Sequence, residues 1–387
     1  MKEIYLDNSA TTPLCEESIA AMTKAMGVFG NPSSLHTAGL AAERLVSEAR
    51  SEVAQALGLR SVKPGQLIFT SSGTEATNLA IRGCVYAKAR RSGKIVTTDS
   101  EHPATENTLR ALEAEGLTVV RIATRGGVLD MQQVERELDE STLLVSMMLV
   151  NNETGARYDL ERVFTLAKQR NPQVVTHCDA VQGFLKCRFT PMSLGADFIS
   201  ISAHKIHGPK GVGALYVSAD VLKQRRLVPI LQGGGQEFGF RSGTENVIGI
   251  VGFGAAVKKG MSELNGSIAK MTSLRDYALQ KLSALGLKLN VPMGATAPHI
   301  INVTLPGIKS ETMLHYLSGE GIFVSSGSAC SSHAKEPSRS LKAFGLSDKD
   351  ADCSIRISLS ADNCEDDVNA LVNRLENGLA VLIRMKK

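Results

Sequence analysis

Residues 199–215 read ISISAHKIHGPKGVGAL. The run ISIS has the alternating apolar character of a buried strand and ends at Ser202. His204 and Lys205 follow, then glycines at 208, 211 and 213. A lysine at a strand's end is ordinarily solvated or ion-paired, so its surroundings decide what it means. Outward from this point the same texture repeats. GVGALYVS is a further strand, and upstream QLIFT, KIVTT, LTVVRIA, LLVSMMLV, QVVTHCDA and ADFISIS are strands between helical stretches such as EATNLAIRGCVYAKAR and DLERVFTLAKQR. Apolar strands alternating with helices predict an α/β fold: a mostly parallel seven-stranded sheet covered on both faces. Such sheets bind ligands at the carboxyl ends of their strands.

Upstream, TAGLAAERLVSEARSEVAQALG predicts an amphipathic helix with Val46, Ala49, Val53 and Leu57 on one face. After about residue 258 the pattern changes: a long helix, INVTLP, a second helix (SETMLHYLSGEG), IFVSSGSAC and SIRISLS. This predicts a large domain over 15–258 and a smaller α+β domain from 259–387, joined by the N-terminal residues 1–14.

The 387 residues are 43% hydrophobic and 21% charged, ordinary for a globular protein, and the formal net charge is only +4. That balance does not favour nucleic acid or an anionic membrane as the main partner. Aromatics at 4%, with no Trp, argue against a base-stacking platform. The N-terminus has no signal-peptide pattern, and the longest apolar runs are too short to span a bilayer. Seven cysteines without a CxxC or zinc-like spacing fit reduced thiols, a cytoplasmic location and no metal.

Lys205 gains meaning from Asp179, which ends the strand QVVTHCDA three residues before Gln182. A lysine after one strand and an aspartate after an earlier one suit pyridoxal phosphate, with the lysine as the Schiff-base amine and the aspartate on the ring nitrogen. By itself Asp179 reads as a helix cap. The turn SSGTEATN (71–78) offers Gly73, Thr74 and a helix N-terminus to a phosphate, and Ser202 and His204 flank Lys205 to complete that cradle. His102 in SEHPA and Asn152 in VNNETG stand after further strands, where a ring can stack and an amide can reach the cofactor's oxygen. GGGQEFGFRSGTEN (233–246) is too glycine-dense for a helix and carries Thr244.

In order along nearly the whole chain stand YLDNSATTP, FGNPSSLH, FTSSGTEATNLAI, SEHPA, VNNETG, DAVQ, SAHKIHGPKGVGALYV, GGGQEFGFRSGTEN and GSACSS. The sequence resembles the cysteine desulfurases, pyridoxal-phosphate enzymes of the class V aminotransferase group. The resemblance implies a fold type I homodimer that takes sulfur from L-cysteine and releases L-alanine. Carried over by position, it gives Lys205 as the Schiff-base lysine and Asp179 as the ring-nitrogen partner. Gln182 and Asn152 become donors to the ring oxygen, and His102 the stacking and proton-transfer residue. Gly73, Thr74, Ser202 and His204 would hold the phosphate, with Thr244 reaching it from the other subunit. Arg356 would pair with the substrate carboxylate, assisted by Asn31.

Cys330, among Gly and Ser in SSGSACSSHAKEPS, would be the nucleophile on a mobile loop. Its long spacer to EPSRSLKAFG resembles the long-loop branch, in which the cysteine hands sulfur to an acceptor protein, an iron–sulfur scaffold or a tRNA-thiolating enzyme. Two departures stand out: Ser9 where an asparagine is usual, and GFLKC after DAVQ where a glycine–lysine pair is usual. Both are expected to affect only local packing. The alternatives are a selenocysteine lyase or another class V aminotransferase, the latter having no need of Cys330, and a non-catalytic sulfur-binding subunit, which would not need Lys205 and Asp179.

Overall fold

The computed structural model describes residues 3–88, 93–326 and 338–384. In chain order the strands are β1 Ile4–Tyr5, β2 Leu67–Thr70, β3 Lys94–Thr98, β4 Thr118–Ile122, β5 Thr142–Met148, β6 Val175–Asp179, β7 Phe198–Ser202, β8 Gly213–Val217, β9 Lys288–Leu289, β10 Ile300–Thr304, β11 Ile322–Phe323 and β12 Ser354–Ser358. The first four α-helices are α1 Glu16–Ala25, α2 Thr37–Ala56, α3 Gly73–Tyr86 and α4 Pro103–Ala114, of which α3 and α4 begin at the site.

The seven expected strands form one sheet in the order β2-β8-β7-β6-β5-β3-β4. β7, β6, β5, β3 and β4 pair in parallel, and β8 runs antiparallel to both β2 and β7. The reason lies in the opening stretch. Only 203–212 join β7 to β8, too short for the helical crossover that parallel neighbours need. Gly211 supplies the turn at φ 80°. At Gly213 a side chain would collide with the backbone of Ser72 and Gly73 (Cβ at 2.5 Å from the Ser72 carbonyl carbon), so glycine lets β8 begin against the start of α3. Every residue of β2, β5, β6, β7 and β8 is buried, as expected of a sheet covered on both faces.

One helix, Val247–Ala284, runs 38 residues, about 57 Å at 1.5 Å per residue. Its first half packs Ile250, Phe253 and Val257 into the core of the large sheet. Its second half gives Leu274, Ala278 and Leu282 to a separate core under the three-stranded antiparallel sheet β12-β10-β9. The expected boundary at 258 therefore falls inside a continuous helix. β1 pairs in parallel with β11, tying the N-terminus to this second core. Among the described residues no helix is long and apolar enough to cross a membrane.

Candidate active site

β2, β3, β5, β6 and β7 end at one edge of the sheet, and a cavity of about 160 Å³ opens there. Ser72, Gly73 and Thr74 reach it from the start of α3, His102 from α4, and Asn152 from the turn after β5. Asp179 and Gln182 come from the end of β6, and Ser202, His204 and Lys205 from the end of β7. Arg356 enters from β12, across the two cores. Nine of the residues expected at a cofactor thus meet in one place, with Arg356 beside them.

The Lys205 amine donates to the carbonyls of Ser9 and Ala10, 2.7 Å each. Asp179 is buried, and one oxygen accepts the Val181 N–H at 3.0 Å. Burial pushes its carboxyl up to about 6, against the Val181 hydrogen bond and the pull of Lys205. It is still ionised at neutral pH, as a partner for a protonated ring nitrogen should be. His102 caps α4, its Nδ1 accepting the Ala104 N–H at 3.1 Å. The neutral ring therefore carries its proton on Nε2. Burial first, then the Lys205 charge, pulls its pKa down to about 4.

Burial is also the larger cause at His204, again down to about 4. Its Nδ1 lies 3.2 Å from the Thr11 hydroxyl. The Gln182 amide donates to the Ser9 carbonyl at 2.9 Å. Arg356 is 1% exposed. It donates to the Asn152 carbonyl and to Asp7, each at 2.9 Å, while its buried Nε has no partner among the described residues.

These residues fit pyridoxal phosphate. The Ser202 hydroxyl is buried and unpartnered among the described residues. It stands beside Gly73, where an added Cβ would lie 2.7 Å from a Val181 methyl and 3.4 Å from Ser202 Cβ. A side chain at 73 would fill the cradle at the N-terminus of α3, where backbone N–H groups favour an anion. Thr244 is exposed and Asn31 is exposed, accepting the Ser33 N–H at 2.9 Å in its own turn. Neither lines this cavity. Cys330 lies outside the described residues.

Three participants were not anticipated. Asp7, in the quoted YLDNSATTP, is the ion-pair partner of Arg356. Glu101, beside His102, is buried and accepts from the Thr98 hydroxyl (2.7 Å) and the Met148 N–H (2.9 Å), and burial pushes it up to about 8. His299 is fully buried, its Nε2 3.4 Å from the Gln182 oxygen. Of the two departures, Ser9 meets Lys205 and Gln182 through its backbone carbonyl, a contact that any residue there would supply. In GFLKC, Leu185 occupies the left-handed region at φ 55°, a conformation natural to glycine.

A family model described as Aminotransferase class-V matches residues 4–371. The chain is 37% identical over 379 residues to Cysteine desulfurase IscS of Dictyoglomus turgidum, covering 97% of this chain and 94% of that one. It is 40% identical over 376 residues to Cysteine desulfurase of Trichormus azollae, covering 96% and 92%. A solved structure named NifS-like protein superimposes with a TM-score of 0.91 at 34% identity, over 98% of this chain and 100% of the other. The NifS-like protein from Rickettsia africae superimposes at 0.86 with 31% identity, over 97% and 99%. The sheet, the cavity at its carboxyl edge and similarity along nearly the whole length agree, and the chain belongs to the class V aminotransferase family, with the cysteine desulfurases as its relatives.

Proposed function

We propose that this protein is a pyridoxal-phosphate-dependent cysteine desulfurase that releases L-alanine and passes the sulfur of L-cysteine to an acceptor protein. The observation that carries the reading is one cavity holding Lys205, Asp179 and a buried Arg356 with an unused donor. Similarity to proteins named cysteine desulfurase supports it. When bound, pyridoxal phosphate supplies an electron sink for negative charge at the substrate's Cα.

The chain's own residues do the rest. Arg356 receives the substrate carboxylate with its fixed planar fork. Lys205 moves the Cα proton, starting from a position set by the Ser9 and Ala10 carbonyls. With pyridoxal phosphate bound, Asp179 would hold the charge of the ring nitrogen, Asn152 and Gln182 the ring oxygen, and Gly73, Thr74, Ser202 and His204 the phosphate, while His102 would face the ring and offer Nε2–H.

Cys330, as thiolate, attacks the substrate's sulfur. The S–S bond forms as the Cβ–S bond breaks, and the released electron pair ends in a C–H bond of alanine's methyl group. Cys330 is left as a persulfide. The acceptor serves iron–sulfur cluster assembly or tRNA thiolation. The active form is a cytoplasmic homodimer in which Thr244 reaches the neighbouring subunit's phosphate and Asn31 assists at the substrate. The exposure of Thr244 away from its own chain's cavity supports that arrangement.

The test is alanine and sulfide released from L-cysteine by the holoprotein with a reductant, beside Cys330→Ala. Equal amounts from the parent, and none from a variant that retains its cofactor absorbance, are expected. No alanine from either protein, with cofactor bound, would overturn the reading and direct the assay to L-selenocysteine and amino-group acceptors.

A further inference from the structure

A second cavity of about 290 Å³ lies behind the first. Lys205 stands in both walls, and the N-terminal segment divides them: Asn8 and Thr12 line the second cavity, Ser9 and Ala10 the first. The reaction proposed above makes no use of this space.

Lys186, 7% exposed, is part of its lining, and its amine is buried with no hydrogen-bond partner among the described residues. A buried ammonium without a counter-charge is strongly disfavoured, and burial followed by the Lys205 charge pulls this amine down to about 7. Beside it is His207, whose Nδ1 lies 3.1 Å from the Pro13 carbonyl. A carbonyl only accepts, so Nδ1 carries the proton and the neutral ring offers Nε2 as an acceptor. At the mouth, Glu16, Glu263 and Asp362 are exposed. The lining therefore combines a buried amine without a partner and Lys259 with an imidazole acceptor and three exposed carboxylates.

We propose that this cavity is a binding site for a small zwitterionic amino acid, its carboxylate on the Lys186 amine and its ammonium toward His207 and Asp362. The ligand's carboxylate supplies the counter-charge that the protein withholds from Lys186. Ala256, Met271 and Leu359 form an apolar patch for a short side chain. An occupant presses on the same Asn8–Thr12 wall whose other face holds the Lys205 amine, which couples the site to the cofactor cavity. The inference stands independently of the reaction proposed above.

The test is calorimetric titration of the holoprotein with N,N-dimethylglycine. This zwitterion's tertiary ammonium cannot condense with the cofactor's aldehyde, so it leaves Lys205 in place. Saturable binding, one per chain, is expected with the cofactor absorbance unchanged. Affinity should fall at least about tenfold in Lys186→Met, which removes a charged hydrogen bond. It should fall about two- to fivefold in Asp362→Asn, and it should persist in Arg356→Lys. Asp362 is exposed, so its variant keeps the test sound if Lys186→Met does not fold. Absence of saturable binding, acetate binding as tightly as the zwitterion, or binding lost in Arg356→Lys but kept in Asp362→Asn would each overturn the proposal.

Discussion

Replacing Arg356 by lysine separates its two roles. The guanidinium has five N–H donors in a plane. One goes to the Asn152 carbonyl and one to Asp7, both at 2.9 Å, and Nε is buried and unused. A lysine ammonium has three rotatable donors and can keep Asp7 and the carbonyl, but it cannot offer a fork to a carboxylate. The variant should therefore fold nearly as the parent does while losing at least one charge-assisted bond to substrate, about 1.5–3 kcal/mol. That is roughly a 10- to 150-fold loss in kcat/KM. The carboxylate is held alike before and during reaction, so the loss should appear in KM and leave kcat largely intact. Arg356→Met is the contrast. It strands Asp7, whose side chain is 18% exposed, and should cost up to about 3 kcal/mol of stability, the lower end of what breaking a buried pair costs. The assay is alanine release against L-cysteine concentration, with cofactor absorbance confirming occupancy. A KM within twofold of the parent's in a fully loaded Arg356→Lys would refute the reasoning and leave Arg356 a purely structural link.

Three further outcomes are expected. Gly73→Ala places a methyl 2.7 Å from Val181 and 3.4 Å from Ser202; cofactor affinity, followed by absorbance titration, should weaken about tenfold, since refilling a tight space costs about 1–3 kcal/mol. An unchanged affinity would remove Gly73 from the cradle. His102→Ala loses the cap of α4, about 1 kcal/mol by denaturant unfolding, and should lower kcat by about 10²–10⁴; a kcat within a factor of a few would make His102 a cap only. Burial lets folded Glu101 keep its proton to about pH 8, whereas the unfolded chain releases it near 4.5. The unfolded state then binds fewer protons, so this group's contribution to stability falls as pH rises from about 4.5 through 8. Glu101→Gln should flatten that fall and raise the melting temperature at pH 9 relative to the parent, with little change at pH 5. A parallel fall in both proteins would assign the pH dependence elsewhere.

The large sheet was legible because each of its seven strands is a short apolar run bounded by turn residues, from QLIFT to GVGALYVS. The direction of β8 was not read from that pattern, because an antiparallel neighbour has the same apolar composition; only the length of the 203–212 connection carries the information. The site was legible where a titratable or small residue follows a strand, as at His102, Asp179 and Lys205. Ser9 was not, since it acts through a backbone carbonyl that any residue supplies. Asp7 and Glu101 stood inside quoted motifs, but their partners, Arg356 and Met148, are 349 and 47 residues away. Only the folded chain brings them together. The boundary at 258 failed to appear as a break because one helix serves both cores, and its composition changes while its backbone does not.

The N-terminal strand gives these separate parts a common frame. Leu6 lies in the second core and bonds backbone to backbone with Phe323 and Ser358. A few residues later, Ser9 and Ala10 hold Lys205, and Thr12 bonds to His204 and His207. On the next rung Arg356 exchanges backbone hydrogen bonds with Ser325. Lysine and arginine are therefore fixed to one ladder. On the far side, Ser338 donates to buried Glu153 at 2.6 Å, and Arg339 pairs with Glu106 at 2.5 Å. One frame of backbone hydrogen bonds thus sets where the Lys205 amine and the Arg356 guanidinium stand toward each other.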